Sequence, residues 1–295
     1  MSDYRQILQS LPKRHDTLLC VDNDGTVFDT MEAKERCFSR CIVRCFGFAG
    51  RDAELAEEVF RYVNLDSIHR GQNRFKSLVL TFDYLRERGV SVPETDRLRE
   101  WVKTETRLGN PALSDLLERE PSDELRAVLR WSEESNAAIE AEVRGIPPFP
   151  HVRETLTRAV IDSDIMVVSH TPESAIRREW TDHGLLPCAR YLAGQECGSK
   201  LQHIRYASAG KYPPERILVV GDSPGDEDAA EAAGVNFFPI IPHCEADSWF
   251  ELGDEGLARF YAGRFDGEYQ DHLLERFHAA LPSDPPWRTR ESSGG

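Results

Sequence analysis

The chain lacks any apolar run near the roughly 20 residues that a membrane-spanning helix requires. It lacks a cationic surface as well: 51 acidic residues against 36 basic ones give a net charge of −15. Nucleic acid and anionic membranes both need positive charge on their partner, so neither is expected as one. The acid excess reads as a solubility feature. No Cys-x-x-Cys pair occurs among the seven cysteines, and their odd number does not suggest a disulfide framework. Cys37, Cys41 and Cys45 recur every four residues and share one helix face, where small buried residues are expected rather than a metal or redox cluster. The opening Met1-Ser2-Asp3-Tyr4-Arg5 carries no signal-peptide pattern. Together these absences lead to the expectation of a cytoplasmic protein with reduced thiols.

What is present is enough for a sizeable core. Hydrophobic residues make up 40% of 295 positions, which suits one large domain or two ordinary ones. The chain is organised around Val21-Asp22-Asn23-Asp24-Gly25-Thr26. The apolar run Thr17-Leu18-Leu19-Cys20-Val21 leads into it with the length and composition of a buried strand. Asp, Asn and Gly are also turn residues, so the segment alone could be an acidic turn. A strand ending in Asp-x-Asp, however, delivers two carboxylates to the carboxyl edge of a sheet, where open parallel α/β sheets bind ligands.

After this stretch the periodicity becomes helical for more than a hundred residues. Helices are expected at about 32–46, 52–63, 73–88, 94–108, 113–117 and 122–143, with Ser122 as an N-cap. Gly145-Ile146-Pro147-Pro148-Phe149-Pro150 breaks the pattern and reads as a hinge. Strand and helix then alternate. Strands are expected at 165–169, 189–193, 216–220 and 235–240. Thr171-Pro172-Glu173 reads as a helix start with Thr171 as N-cap. Alternation of this kind implies a Rossmann-like parallel sheet with helices on both faces, here with an all-helical domain inserted after the first strand. The expected division is 1–30 and 150–242 as the α/β core, 31–149 as the helical insert, 243–281 as a C-terminal helical extension, and 282–295 as a disordered tail rich in Pro, Ser and Gly.

Four strand ends converge on one edge of such a sheet, bringing Asp22 and Asp24, Ser169, Lys200, and Asp222 with Asp226. Facing carboxylates repel one another unless a cation lies between them. Oxygen ligands of this kind suit Mg²⁺. A phosphoryl group in transfer needs cations and donors aimed at its oxygens, which Lys200, Ser169 and backbone N–H groups could supply. Asp22 could attack phosphorus, and Asp24, on the same face of an extended chain, could exchange protons with the leaving group and with water.

These residues carry a resemblance. The chain resembles the haloacid dehalogenase-like (HAD) hydrolase superfamily in Val21-Asp22-Asn23-Asp24-Gly25-Thr26, in Val167-Val168-Ser169, in Gly198-Ser199-Lys200 and in Gly221-Asp222-Ser223-Pro224-Gly225-Asp226, in that order. The resemblance implies Asp22 as nucleophile and metal ligand, and Asp24 as general acid/base whose backbone carbonyl also faces the metal. Ser169, His170 and Lys200 would bind phosphate, Asp222 would ligate Mg²⁺, and Asp226 would act through water or a hydrogen bond. Thr26 would support the motif. Dehalogenases lack the second carboxylate, so Asp24 favours phosphoryl transfer. Phosphonatases use a cap lysine, and no motif surrounds Lys34, Lys76 or Lys103.

The insert resembles the helical cap of the superfamily. Within it Arg70, Asn73 and Arg74 stand out as candidate contacts for an anionic substrate. The expected function is Mg²⁺-dependent hydrolysis of a small phosphorylated metabolite through an aspartyl-phosphate. The alternatives are a phosphomutase or phosphonatase of the same fold, or a non-catalytic binding protein. A homodimer is left open.

Overall fold

A computed structural model describes residues 4–291. The chain divides into two compact units: residues up to Thr30 with Gly145–Leu281, and Met31–Arg144 with the residues from Pro282 onward.

The first unit is built on five parallel strands, β1 (Thr17–Val21), β2 (Ser163–Val168), β3 (Tyr191–Ala193), β4 (Ile217–Gly221) and β5 (Asn236–Pro239), in the order β3-β2-β1-β4-β5. Both faces of the sheet are covered. Successive side chains on a strand point to opposite faces, and the burial follows that alternation. Leu19, Val21, Ile165, Val167, Leu218, Val220 and Phe238 enter one core with Trp180, Trp249 and Phe260. Leu18, Cys20, Met166, Val168, Ile217, Val219 and Phe237 enter the other with Leu8, Ile204 and Phe277. Strands buried on both faces read as continuous apolar runs, which is why the strand segments were conspicuous in the sequence.

The segment after residue 242, expected as a C-terminal helical extension, packs into these cores. Trp249, Leu252, Leu257, Phe260, Phe265 and Leu273 lie in the first core and Phe277 in the second. Its helices, Glu245–Glu251, Leu257–Tyr261 and Glu268–Ala280, look weak in sequence because they are short and charged on the side away from the sheet.

The second unit consists of helices Thr30–Phe46, Arg51–Leu65, Arg74–Glu87, Asp96–Thr104, Asn110–Arg119 and Asp123–Glu142, the first of which begins one residue inside the α/β unit. Two starts follow the side-chain capping rule. Asn73 Oδ1 accepts from Phe75 N at 3.0 Å, and Ser122 Oγ accepts from Leu125 N at 3.3 Å. Trp131 is the centre of this core. Its ring lies 5.8 Å from Phe38, 6.2 Å from Phe60 and 6.3 Å from Phe75, and its Nε1 donates to Phe38 O. The helix expected at 94–108 ends at Thr104, because Glu105 is extended and no apolar residue follows until Leu108.

The expected disordered tail is ordered over most of its length. Residues Pro286–Glu291 form a short helix, and residues 292–295 lie outside the described range. Trp287 packs edge-on against Tyr62 at 5.2 Å and Tyr84 at 5.6 Å, with the Arg88 guanidinium 4.9 Å from its ring centre. Arg288 pairs with Glu87, and Pro282 O accepts from Tyr62 Oη and Ile68 N. A single tryptophan outweighs the polar composition around it, since aromatic burial is the largest per-residue contribution available.

Two outcomes follow from the helical unit. Trp287→Ala should lower its stability by about 1–3 kcal/mol, less than a fully buried tryptophan because the ring is half-buried; thermal unfolding of the full chain measures it. Glu35, 5% exposed, is the second case. Burial pushes its carboxyl up from 4.5 to about 7, against the opposing pull of Ser39 and Arg61. A raised folded pKa means that stability present below pH 4.5 is lost as pH rises through 7. Glu35→Gln should therefore raise the melting temperature at pH 8 and leave it nearly unchanged at pH 4, with a difference on the order of 3 kcal/mol at most. Equal effects at both pH values would contradict this.

Candidate active site

β1 is the central strand, and its register places Val21 opposite Val167 on one side and Val220 on the other. Asp22 is the next residue, and its N–H continues the ladder to Val220 O at 2.9 Å. The chain then turns sharply. Gly25 adopts φ 72°, and its N–H reaches Phe28 O at 2.9 Å, while Val27 N and Phe28 N both donate to Asn23 O. A left-handed residue at this point favours glycine. β4 ends in Gly221-Asp222, and here too glycine is required: a Cβ at 221 would stand 2.3 Å from Asp226 Cγ.

Lys200 is the first residue of helix Lys200–Ser208, which starts in a capping box between Ser199 and Gln202. Its ammonium donates to Asp22 Oδ2 at 2.8 Å and to Asp226 Oδ1 at 2.6 Å. Asp226 Oδ2 accepts from Ser223 N and Ser223 Oγ, so both of its oxygens are engaged. Thr26 Oγ1 donates to Asp222 Oδ1 at 2.7 Å. Asp22, Asp222 and Asp226 each offer a carboxylate oxygen within 4.8 Å of the others, and all three are buried. The sequence reading kept Asp226 apart from the metal set; its carboxylate stands inside the cluster, held by Lys200 and Ser223.

Lys200 bonds two of these three buried carboxylates. Burial is the main cause that holds the Asp22 carboxyl well above the usual carboxylate range; Asp226 and Asp222 push the same way and Lys200 opposes them. Burial pulls the Lys200 ammonium down, but the Asp22 and Asp226 carboxylates outweigh it and keep the lysine charged. Asp22 Oδ1 is buried with no hydrogen-bond partner. An unpartnered carboxylate oxygen beside two further carboxylates fits an oxygen-ligated divalent cation.

Asp24 lies beyond this cluster. Thr30 Oγ1 donates to its Oδ1 and Thr171 Oγ1 to its Oδ2, each at 2.5 Å. Thr171 was expected to cap a helix. The helix instead runs Glu173–Asp182 with Pro172 at the cap position, and the Thr171 hydroxyl turns to Asp24. Ser169 is 2% exposed at the end of β2; its N–H continues the ladder to Ala193 O, and its Oγ accepts from Thr171 N. His170 is exposed on the loop between them. The sequence reading missed Thr30, Thr171 and the side-chain role of Asn23, whose amide meets Glu179 and Trp180. Only the position of Thr30, six residues after Asp24, hinted at any of these contacts.

The candidates in the helical unit have structural work. Arg70 is 4% exposed and donates to Leu65 O. Asn73 caps its helix and donates to Leu108 O. The Arg74 guanidinium lies 4.7 Å from the centre of the Phe38 ring and donates to Ser132 and Asn136, all neutral partners. Burial lowers it to about 10.

No family model and no curated protein matches the chain. Solved structures do. One is described as a predicted phosphoglycolate phosphatase from Haemophilus somnus, with TM-score 0.49 and 15% identity over 77% of this chain and 86% of that one. Another, described as a haloacid dehalogenase-like hydrolase from Bacteroides fragilis, has TM-score 0.49 and 18% identity over 79% and 92%. A third, described as the HAD-hydrolase YfnB from Bacillus subtilis bound to magnesium, has TM-score 0.43 and 18% identity over 76% and 86%. Among the described residues no helix is long and apolar enough to cross a membrane.

The carboxylate cluster makes a direct prediction. In chelator, Asp222→Asn should unfold no earlier than the natural chain, because it removes like-charge repulsion and still accepts from Thr26. Mg²⁺ at about a hundred times its dissociation constant should stabilise the natural chain by about 2.7 kcal/mol and the variant much less. Thermal unfolding with and without Mg²⁺ measures both. Equal Mg²⁺ stabilisation of the two proteins would remove Asp222 from the site.

Proposed function

We propose that this chain is a HAD-like phosphatase that hydrolyses a small phosphate ester through an aspartyl-phosphate on Asp22. The observation that carries the reading is the pairing of the buried, half-unpartnered Asp22 carboxylate with Lys200 at the carboxyl edge of β1, within a cluster of acids. A structural salt bridge has no need of a third carboxylate or of an unpartnered oxygen.

The first step forms a bond between Asp22 and phosphorus and breaks the ester P–O bond. The departing oxygen takes a proton from Asp24. In the second step water gives a proton to Asp24 and attacks phosphorus, the bond to Asp22 breaks, and phosphate leaves. Lys200 remains charged throughout and can balance the phosphoryl oxygens once substrate displaces part of its pairing with Asp22. The Ser169 hydroxyl can donate at the same edge. Mg²⁺ held by Asp22, Asp222 and the Asp24 carbonyl would neutralise the acids and draw charge from the phosphoryl group. Asp24 requires a hydroxyl partner to hold it apart from Asp22, which Thr30 and Thr171 provide.

A phosphomutase shares these steps until the phosphoryl group returns to a sugar, so the identity of the product separates the two. The test is phosphate release from a panel of esters with Mg²⁺ or chelator. Turnover should require Mg²⁺ and fall by about a thousandfold or more in Asp22→Asn, the order expected for loss of a nucleophile that acts as a unit with its neighbours. Turnover that survives Asp22→Asn would overturn the mechanism.

A further inference from the structure

Asn23 sits between the two acids of the first motif and is fully buried. Its backbone carbonyl closes the turn by accepting from Val27 N at 3.0 Å and Phe28 N at 3.1 Å. Its side chain runs to the helix Glu173–Asp182. Trp180 Nε1 donates to Asn23 Oδ1 at 2.9 Å, and Asn23 Nδ2 donates to Glu179 Oε2 at 2.8 Å. The same Nδ2 makes a longer contact of 3.4 Å to Asp24 Oδ1.

These partners fix the amide. An indole N–H only donates and a carboxylate only accepts, so one orientation of the amide satisfies both. In that orientation the two hydrogens of Nδ2 face Glu179 and Asp24. Aspartate at this position would oppose the Glu179 and Asp24 carboxylates. Leucine would leave the Trp180 N–H buried and unpaired, which is unfavourable. Trp180 is itself fully buried in the core that holds Val152, Leu156, Ile176 and Leu185, so it is a rigid anchor. Thr171, two residues before the same helix, bonds the other oxygen of Asp24. One helix and its lead-in therefore restrain both sides of the Asp24 carboxylate, through Thr171 directly and through Asn23.

We propose that Asn23, oriented by Glu179 and Trp180, is a positioning residue that holds Asp24 in register to protonate the leaving group. This rests on the acid/base reading of Asp24. It predicts a leaving-group-dependent loss in kcat/KM, which covers the steps up to departure of the ester oxygen; the later attack of water, where Asp24 takes a proton, is common to all esters. p-Nitrophenolate departs without help, whereas an alkoxide does not.

The experiment compares turnover of p-nitrophenyl phosphate with that of an alkyl phosphate in the full-length chain with Mg²⁺. Trp180→Phe keeps an aromatic ring but removes the N–H and part of the indole, and Glu179→Leu acts at a half-exposed position; each unpairs one atom of the Asn23 amide while leaving Asn23 in place. Both, together with Asn23→Leu, should lower kcat/KM for the alkyl ester at least tenfold more than for the nitrophenyl ester, within the roughly hundredfold or greater range that general acid catalysis spans. Glu179→Gln keeps an acceptor for Nδ2 and should restore turnover to within about threefold of the natural chain, since a neutral hydrogen bond replaces a charged one. Equal losses on both esters would reduce Asn23 to a structural residue and overturn the inference. Asp24→Asn is the control. If it shows the selective loss while the Asn23, Glu179 and Trp180 variants do not, the inference fails alone. If Asp24→Asn shows no selectivity, the acid/base reading fails and the inference falls with it.

Discussion

Three mutually close buried carboxylates, two of them bonded to one ammonium, set the terms for the rest of the α/β unit. Each acid is brought to the site by a different strand or turn, and Lys200 bonds two of them. Such an arrangement is unfavourable in isolation, because burial and mutual repulsion both oppose ionisation. It persists because the surrounding structure over-determines it. The ladder continues one residue past β1 to fix Asp22, a capping box fixes Lys200, Ser223 fixes Asp226, and Thr26 fixes Asp222. Gly221 exists as glycine so that Asp226 can come close. The local hydrogen bonds do not relieve the repulsion; they aim it at one small volume, where a cation and a phosphoryl group would find it already assembled.

The parts legible in the sequence are those whose physics is local. Strands buried on both faces must be continuous apolar runs, so 17–21, 163–168 and 217–221 were recognisable, and their polar ends marked the sheet edge. Asp22, Lys200, Asp222 and Asp226 follow from that edge and from motif order. What escaped the sequence was non-local. Thr171 has every local attribute of an N-cap, yet its hydroxyl serves Asp24 because the turn after β2 brings it there. Asn23 passes for a turn residue until Trp180, 157 positions away, is seen at its amide. The segment after 281 has a disordered composition, and one tryptophan reverses the outcome by finding Tyr62 and Tyr84. Composition averages over a window, whereas packing is decided by single side chains and partners that the window does not contain.

The two acids of the first motif are held in different ways, and the difference suits their roles. Asp22 is fixed by an ionic partner and keeps one oxygen without a hydrogen bond, as a nucleophile needs a lone pair that is not already shared. Asp24 is held by neutral hydroxyls and an amide, groups that accept or release a hydrogen bond with little change in charge. A carboxyl that must alternate between giving and taking a proton is better served by such partners than by an ion pair, which would hold it ionised. Asn23 joins the two environments, since its backbone closes the turn that carries Asp22 and its side chain reaches the partners of Asp24. In the proposed mechanism one short turn would supply both the nucleophile, paired with Lys200, and the proton carrier, bonded by two hydroxyls.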